Sequence, residues 1–245
     1  CVDRNTHMEK FAIGIDLGGT NLKGIILDRD GNRSHLTRVP TEASRGGKQV
    51  LKNILKLKEI LIEKQGNTES ILGVGIGTPG FVDTDGTLIG GAENLPGWKA
   101  TNIYAPINER FGFQAIACND VTVAALAEAK FGAGRGVENM VCLALGTGIG
   151  GGIVTSGHLY KGTHGMAGEL GHIVVETNGL PCNCGLKGCV ERYASATGIV
   201  NLAHIYSAQS DGQSALAKEA ASEENVLTAK GVYEFVKNRD PVEIG

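Results

Sequence analysis

Residues 11–28 read FAIGIDLGGTNLKGIILD, two apolar runs on either side of the turn DLGGTN, and this stretch decides the fold. The runs FAIGIDL and GIILD read as strands. A Gly/Thr-rich turn between strands presents successive backbone N–H groups without side-chain obstruction, so it can receive phosphate oxygens, and Asp16 at the strand end can orient a hydrated magnesium ion. Standing alone, the turn is equally an ordinary hairpin with glycine at its tip. It does not stand alone. Leu145-Gly146-Thr147-Gly148 also follows an apolar strand and precedes another, as Leu17-Gly18-Gly19-Thr20 does, which makes a weak internal repeat. Two lobes of similar plan are therefore expected, 8–118 with the first turn and 119–245 with the second. A nucleotide gripped between lobes needs one phosphate turn from each side. Thr20 and Thr147 would add hydroxyl donors, and Lys23 a positive charge if it turns inward; a solvated Lys23 is the alternative.

Outward from the first turn the chain alternates strands and helices, a mixed α/β pattern. Val50, Ile54, Leu57 and Leu61 share one face of a helix expected from Gly47 to about Gln65. A buried strand ILGVGIG (71–77), the loop TPGFVD and a long irregular stretch through ENLPGW come next. A short helix around TNIYAPINERFG and a strand FQAIAC follow. The Ala-rich VTVAALAEAKFG reads as a helix closed by Gly132. Residues 208–227 are polar and Ala-rich, a surface loop leading into a solvated helix, and TAKGVYEFVKNRDP starts another amphipathic helix.

With 245 residues and 42% hydrophobic content the chain can bury a substantial core. A net charge of −3 with both signs mixed offers no basic stripe for nucleic acid. No apolar run approaches the roughly 20 residues that span a bilayer, and CVDRNTHMEK lacks the apolar core of a signal peptide, so a cytoplasmic protein starting naturally at Met8 is expected. Cys118 and Cys142 lie in apolar runs and read as small core hydrophobes. Three of the six cysteines, Cys182, Cys184 and Cys189, crowd into the segment CNCGLKGC. In a reducing compartment they read as a metal knuckle, because three thiols cannot pair among themselves and Gly185 and Gly188 permit tight turns. Zinc wants a fourth ligand, and His172 is the nearest candidate upstream. A closed Cys3His site is structural rather than catalytic.

Asn119 and Asp120 stand between the strand FQAIAC and the Ala-rich helix. Asp120 is well placed to cap that helix, and equally to accept a proton from a substrate hydroxyl as general base. Asn94, Glu169 and Glu191 are polar residues isolated among apolar or glycine neighbours, suited to the vicinal hydroxyls of a polyol. A knuckle between Glu169 and Glu191 would hold both at fixed separation. His172 can serve twice, with one ring nitrogen on the metal and the other toward substrate.

Together DLGGTNLKG, GTPG, ND followed by VTVAALAE, LGTGIGGG, GELGH and CNCGLKGC resemble the ROK family of repressors and sugar kinases, in the family's order from about Phe11 to Arg192. The resemblance implies an actin-like ATPase (ribonuclease H-like) fold with ATP and sugar in the cleft between two lobes. It implies Asp120 as the base, and Gly80, Asn94, Asn119, Glu169, His172 and Glu191 as sugar ligands. Asp16, Gly18, Gly19, Thr20, Asn21, Lys23, Thr147 and Gly148 would serve ATP and Mg²⁺, and His172, Cys182, Cys184 and Cys189 a structural Zn²⁺. The expected reaction is ATP-dependent phosphorylation of a hexose at its C6 hydroxyl, glucose first because of ENLPGW. N-acetylmannosamine, N-acetylglucosamine, mannose and fructose fit the same motifs, and a non-catalytic sugar-sensing module is the alternative class. A homo-oligomer, dimer or tetramer, is implied. Family repressors carry a helix-turn-helix ahead of the first phosphate turn where this sequence has only Cys1 to Lys10, which disfavours DNA binding; the family's C-terminal helices and adenine segment are not in this sequence, so the expectation is a fragment of a longer protein, with a degenerate protein whose adenine site is incomplete as the alternative.

Overall fold

The computed structural model describes residues 9–66, 70–92, 95–112, 114–209, 215–220 and 226–237. The chain divides into two units, one running to Met140 and including Ile153–Ala167, the other made of Val141–Gly152 and the chain from Gly168. The expected lobe boundary after Cys118 therefore falls within the first unit, where strand runs straight into helix.

In the first unit a five-stranded sheet has the order β3-β2-β1-β4-β7, with β1 Phe11–Leu17, β2 Asn21–Leu27, β3 Arg33–Pro40, β4 Ile71–Thr78 and β7 Gln114–Asn119. The first three strands pair antiparallel, and β4 lies parallel to both β1 and β7. Helix α1 occupies Gly47–Gln65, the expected span. Its Val50, Ile54, Leu57 and Leu61 are fully buried with Ile13, Leu17, Leu22, Ile26 and Ile76. Each such side chain contributes about 1.5–3 kcal/mol on removal from water. The helix can lie this close because β2 carries Gly24, whose missing Cβ would stand 2.7 Å from Leu61 and 3.0 Å from Leu57.

Sequence periodicity missed a small hairpin, β5 Phe81–Val82 with β6 Leu88–Gly90, within the stretch read as irregular. Further along that stretch, Leu95 and Trp98 are buried in the same core. Helix α2 covers Tyr104–Phe111 and α3 covers Asp120–Phe131. Gly132 does end α3, but at φ −109 rather than in the left-handed region; the Glu128 carboxylate caps the end by accepting the Ala133 N–H at 2.9 Å.

Strands β8 (Met140–Leu145) and β9 (Ile149–Thr155) flank the second Gly/Thr turn, and β10 (His158–Leu159) completes the sheet order β10-β9-β8. Cys118 on β7 and Cys142 on β8 are half-buried free thiols, not the core hydrophobes their apolar runs suggested; β8 alternates, with Val141, Leu143 and Leu145 on its exposed face. In the second unit the short α4 (Glu191–Ala194) leads into α5 (Ala196–Gln209), then α6 (Ala215–Ala220) and α7 (Ala229–Lys237). The segment expected to be a solvated helix instead buries Leu216 with Ala203, Leu227 and Val232. Among the described residues no helix is long and apolar enough to cross a membrane.

Candidate functional site

The two Gly/Thr turns close differently. In the first, Gly18 N–H donates to the Asn21 carbonyl at 3.1 Å; in the second, Gly146 N–H donates to the Gly148 carbonyl at 2.9 Å. Gly19, Thr20 and Asn21 are exposed, as are Gly146 and Thr147, so both turns offer backbone donors to a ligand. The first turn has a brace the sequence did not announce. Thr41, wholly buried, donates its hydroxyl to the Gly18 carbonyl at 2.6 Å and its N–H to the Thr20 carbonyl at 3.0 Å. The only hint in the sequence was a hydroxyl residue just after the apolar end of β3.

Asp16 ends β1 opposite Lys23 on β2, and their side chains pair at 3.2 Å with both about half exposed. A pair so solvated is worth no more than about 1 kcal/mol, so either partner can be drawn away by a phosphate or a cation. Lys23 thus neither turns inward nor floats free.

At the junction of β7 and α3 the cap is Asn119, not Asp120. Asn119 has extended backbone (φ −52, ψ 141), and its Oδ1 accepts the N–H groups of Val121 at 3.0 Å and Thr122 at 3.2 Å. Asp120 is the first helical residue, and its carboxylate accepts the Val121 N–H at 2.9 Å. The physical reason is positional: the strand's extended conformation persists through residue 119, and the cap is the last extended residue. Asn119 Nδ2 donates to the Gly80 carbonyl at 3.5 Å, so Gly80, Asn119 and Asp120 come together. Gly80 has φ +90, and a Cβ there would collide with the Gly90 carbonyl. Asn94 lies outside the described residues.

The second unit assembles the rest. Glu191, at the head of α4, accepts the Ile149 N–H on Oε2 at 2.8 Å, just after the second Gly/Thr turn. The GELGH segment forms a short 3-10 turn, Leu170–His172, laid against β9 so closely that a Cβ on Gly171 would collide with the Ile149 carbonyl. This brings Glu169 and His172 to the same strand: His172 Nε2 lies 3.9 Å from Glu169 Oε2. Its other nitrogen, Nδ1, lies 3.5 Å from Cys182 Sγ, and Cys184 and Cys189 sulfurs are 3.6 Å apart.

The ligand atoms of His172, Cys182, Cys184 and Cys189 all lie within 4.8 Å of one another. Four ligands set tetrahedrally at zinc–sulfur distances of about 2.3 Å would place neighbouring sulfurs about 3.8 Å apart, so the set fits a closed tetrahedral site. The knuckle is folded by backbone bonds, with the Cys182 N–H on the Leu186 carbonyl at 2.8 Å and the Gly185 N–H on the Cys182 carbonyl at 3.0 Å. Burial among the other thiols pushes Cys189 up to about 12, while the Leu186 N–H and neighbouring thiols lower Cys184. Gathering several thiolates there requires a cation. Tyr193 holds the approach to the knuckle by accepting the Leu180 N–H at 2.8 Å.

A family model described as ROK family matches residues 12–242. A glucokinase of Halalkalibacterium halodurans is 38% identical over 228 residues, covering 92% of this chain and 68% of that protein. A glucokinase of Thermotoga maritima is 40% identical over 187 residues, covering 76% of this chain and 58% of that protein. The crystal structure of a ROK family glucokinase from Streptomyces griseus in complex with glucose and AMPPNP superposes with a TM-score of 0.67 at 30% identity, covering 96% of this chain and 73% of that one. The chain thus spans about six tenths to seven tenths of the length of the relatives it matches. The fold is the actin-like ATPase fold that the sequence resemblance implied.

Proposed function

The chain belongs to the ROK family, and on that premise we propose that it is an ATP-dependent hexose kinase that phosphorylates glucose on its primary hydroxyl. The observation that carries the reading is the division of labour at the start of α3: Asn119 satisfies the helix, which leaves Asp120 available as a base. Asp120 accepts the hydroxyl proton as the oxygen attacks the γ-phosphorus. Asn119 and Gly80 hold the sugar beside it, and Asn94, Glu169, His172 and Glu191 are the further hydroxyl ligands that the family resemblance implies. The N–H groups of the exposed Gly19 and Thr20 and those around Thr147 and Gly148 hold phosphate oxygens, with Gly18 and Asn21 closing the first turn behind them. Asp16 would hold a hydrated magnesium ion, whose charge would offset that on the transferred group, and Lys23, paired with Asp16 at the surface, is the cation that reaches phosphate. Little covalent work remains for the protein beyond this positioning.

A structural zinc ion on His172, Cys182, Cys184 and Cys189 fixes the loop between Glu169 and Glu191. His172 Nδ1 faces the cluster and Nε2 faces away toward Glu169, an arrangement that suits a residue shared between metal and sugar.

The test is sugar-dependent ADP release against a panel of hexoses and N-acetylhexosamines, with Asp120→Ala as control. Glucose-evoked turnover absent from the variant supports the reading. Turnover evoked only by an N-acetylhexosamine moves the substrate, and sugar binding without turnover by any sugar makes the chain a sensor.

A further inference from the structure

Trp98 is the only tryptophan of the chain, and it is fully buried. Its indole N–H donates to Thr78 Oγ1 at 3.0 Å, and the Thr78 hydroxyl donates to the Pro79 carbonyl at 3.0 Å. Thr78 is the last residue of β4 and stands in register with Asn119 on β7. The turn that follows has no backbone donor at its first position, because Pro79 has no N–H. Gly80 is pinned under the Gly90 carbonyl. What aims the Gly80 carbonyl at the Asn119 amide is therefore the orientation of the peptide planes around Pro79, and the Thr78 hydroxyl holds one of them.

Trp98 is itself immobilised from the other side. The first residue of α1, Gly47, sits so near the Gly97 carbonyl that a Cβ on Gly47 would collide with it. The Trp98 backbone N–H also donates to the Leu95 carbonyl at 3.0 Å, and the Leu95 N–H to the Ala92 carbonyl at 2.9 Å. Any large apolar side chain could fill the hollow that Trp98 occupies. Only a donor at the ring edge sets the hydroxyl of Thr78, and a buried indole N–H must find such a partner.

We propose that Trp98 and Thr78 are positioning residues of the sugar site: the indole fixes the Thr78 hydroxyl, the hydroxyl fixes the Pro79–Gly80 turn, and the turn fixes the Asn119 amide next to Asp120. Neither residue touches the reacting atoms. The proposal rests on the hexose-kinase reading, but the two fail separately.

The experiment compares the whole chain with Trp98→Phe, Thr78→Val, Thr78→Ser and the Trp98→Phe/Thr78→Val double variant. Glucose affinity is measured by calorimetry, and ¹⁵N-labelled samples are compared without ligand. Trp98→Phe and Thr78→Val should each weaken glucose binding about 3- to 10-fold, the range of one neutral hydrogen bond, and the double variant no more than the worse single one, because both cut the same link. AMPPNP affinity should hold within about twofold, and Thr78→Ser, which keeps the hydroxyl, should bind glucose like the parent. Variants that melt earlier yet bind glucose normally, or losses that multiply in the double variant, overturn the proposal. If the parent binds no glucose, the hexose reading is what fails. The relay then stands or falls on the ligand-free spectra: Thr78→Val must shift the Asn119 side-chain amide and the Val121 and Thr122 N–H signals, and their staying in place overturns it.

Discussion

Glu191 and Ile149 are joined by a 2.8 Å hydrogen bond from the Ile149 N–H to the Glu191 carboxylate, across the space that a side chain at Gly148 would fill. One carboxylate oxygen thus holds the strand that leaves the second Gly/Thr turn, while the other remains for a ligand. Gly148→Ala should unseat Glu191, since the new methyl would collide with Oε2. A charge-assisted hydrogen bond is worth about 1.5–3 kcal/mol, so kcat/KM for sugar should fall about 10- to 150-fold. Steady-state kinetics would check it; a variant within threefold of the parent would show that Glu191 is not held in place this way.

Asp120→Asn should abolish turnover while leaving glucose affinity and melting temperature close to those of the parent. Because Asn119 supplies the cap, the change at 120 removes no bond on which α3 depends beyond the one to Val121. General-base loss costs typically 10²- to 10⁴-fold. Calorimetry beside an ADP-release assay separates the two effects, and near-normal turnover would remove Asp120 from its role. Asn119→Ala should do the converse, destabilising the protein by about 1 kcal/mol through the lost cap as well as weakening sugar binding.

Glu42 predicts a pH dependence. Its carboxylate accepts the Asn53 amide at 2.9 Å, the Gln49 amide at 2.9 Å and the Arg45 guanidinium at 2.8 Å. These hydrogen bonds, Asn53's first, hold its pKa down to about 2 from an ordinary 4.5. The folded-state value lies below the unfolded one, so this contribution is complete above about pH 4.5 and disappears as the pH falls to about 2. The gap in melting temperature between the parent and Glu42→Gln should therefore be constant from neutrality down to about pH 4.5 and close toward pH 2. Asn53 also donates to the Thr41 carbonyl at 3.2 Å, so the same network backs the brace of the first phosphate turn. A gap that keeps its full width at low pH would mean that the network does not depend on the charge of Glu42.

Much of the scaffold was legible because it rests on local pattern. Val50, Ile54, Leu57 and Leu61 mark one helical face whatever they pack against, and CNCGLKGC carries its ligand spacing in eight consecutive residues. The illegible parts depend on partners far along the chain. Thr41 reads as a loop residue until Gly18 is folded against it, and Trp98 meets Thr78 across twenty residues of chain that no local pattern connects. The cap at α3 was misassigned for another reason. Asn and Asp cap equally well, and only the point at which extended backbone gives way to helix decides between adjacent residues. At α6 a polar composition concealed Leu216, whose burial depends on Ala203 and Val232 and so lies outside any local window.

The thiols give the last prediction. The purified chain should carry one zinc per molecule, released by a thiol-blocking mercurial in step with titration of the knuckle. Cys184→Ser should lose the metal, whereas Cys142→Ser, a change at a half-buried free thiol on β8, should keep it. Because zinc replaces the cost of gathering several thiolates around the buried Cys189, removing it should loosen the loop that carries His172 and lies between Glu169 and Glu191. A loss of about 3 kcal/mol would lower the melting temperature by roughly 6–12 °C in a chain of this size. Glucose affinity should fall with it, since the metal-facing Nδ1 and the outward-facing Nε2 belong to one imidazole ring. Elemental analysis checks the stoichiometry and calorimetry the coupling. A protein that contains no zinc, or one that binds glucose equally well before and after chelation, would separate the knuckle from the sugar site.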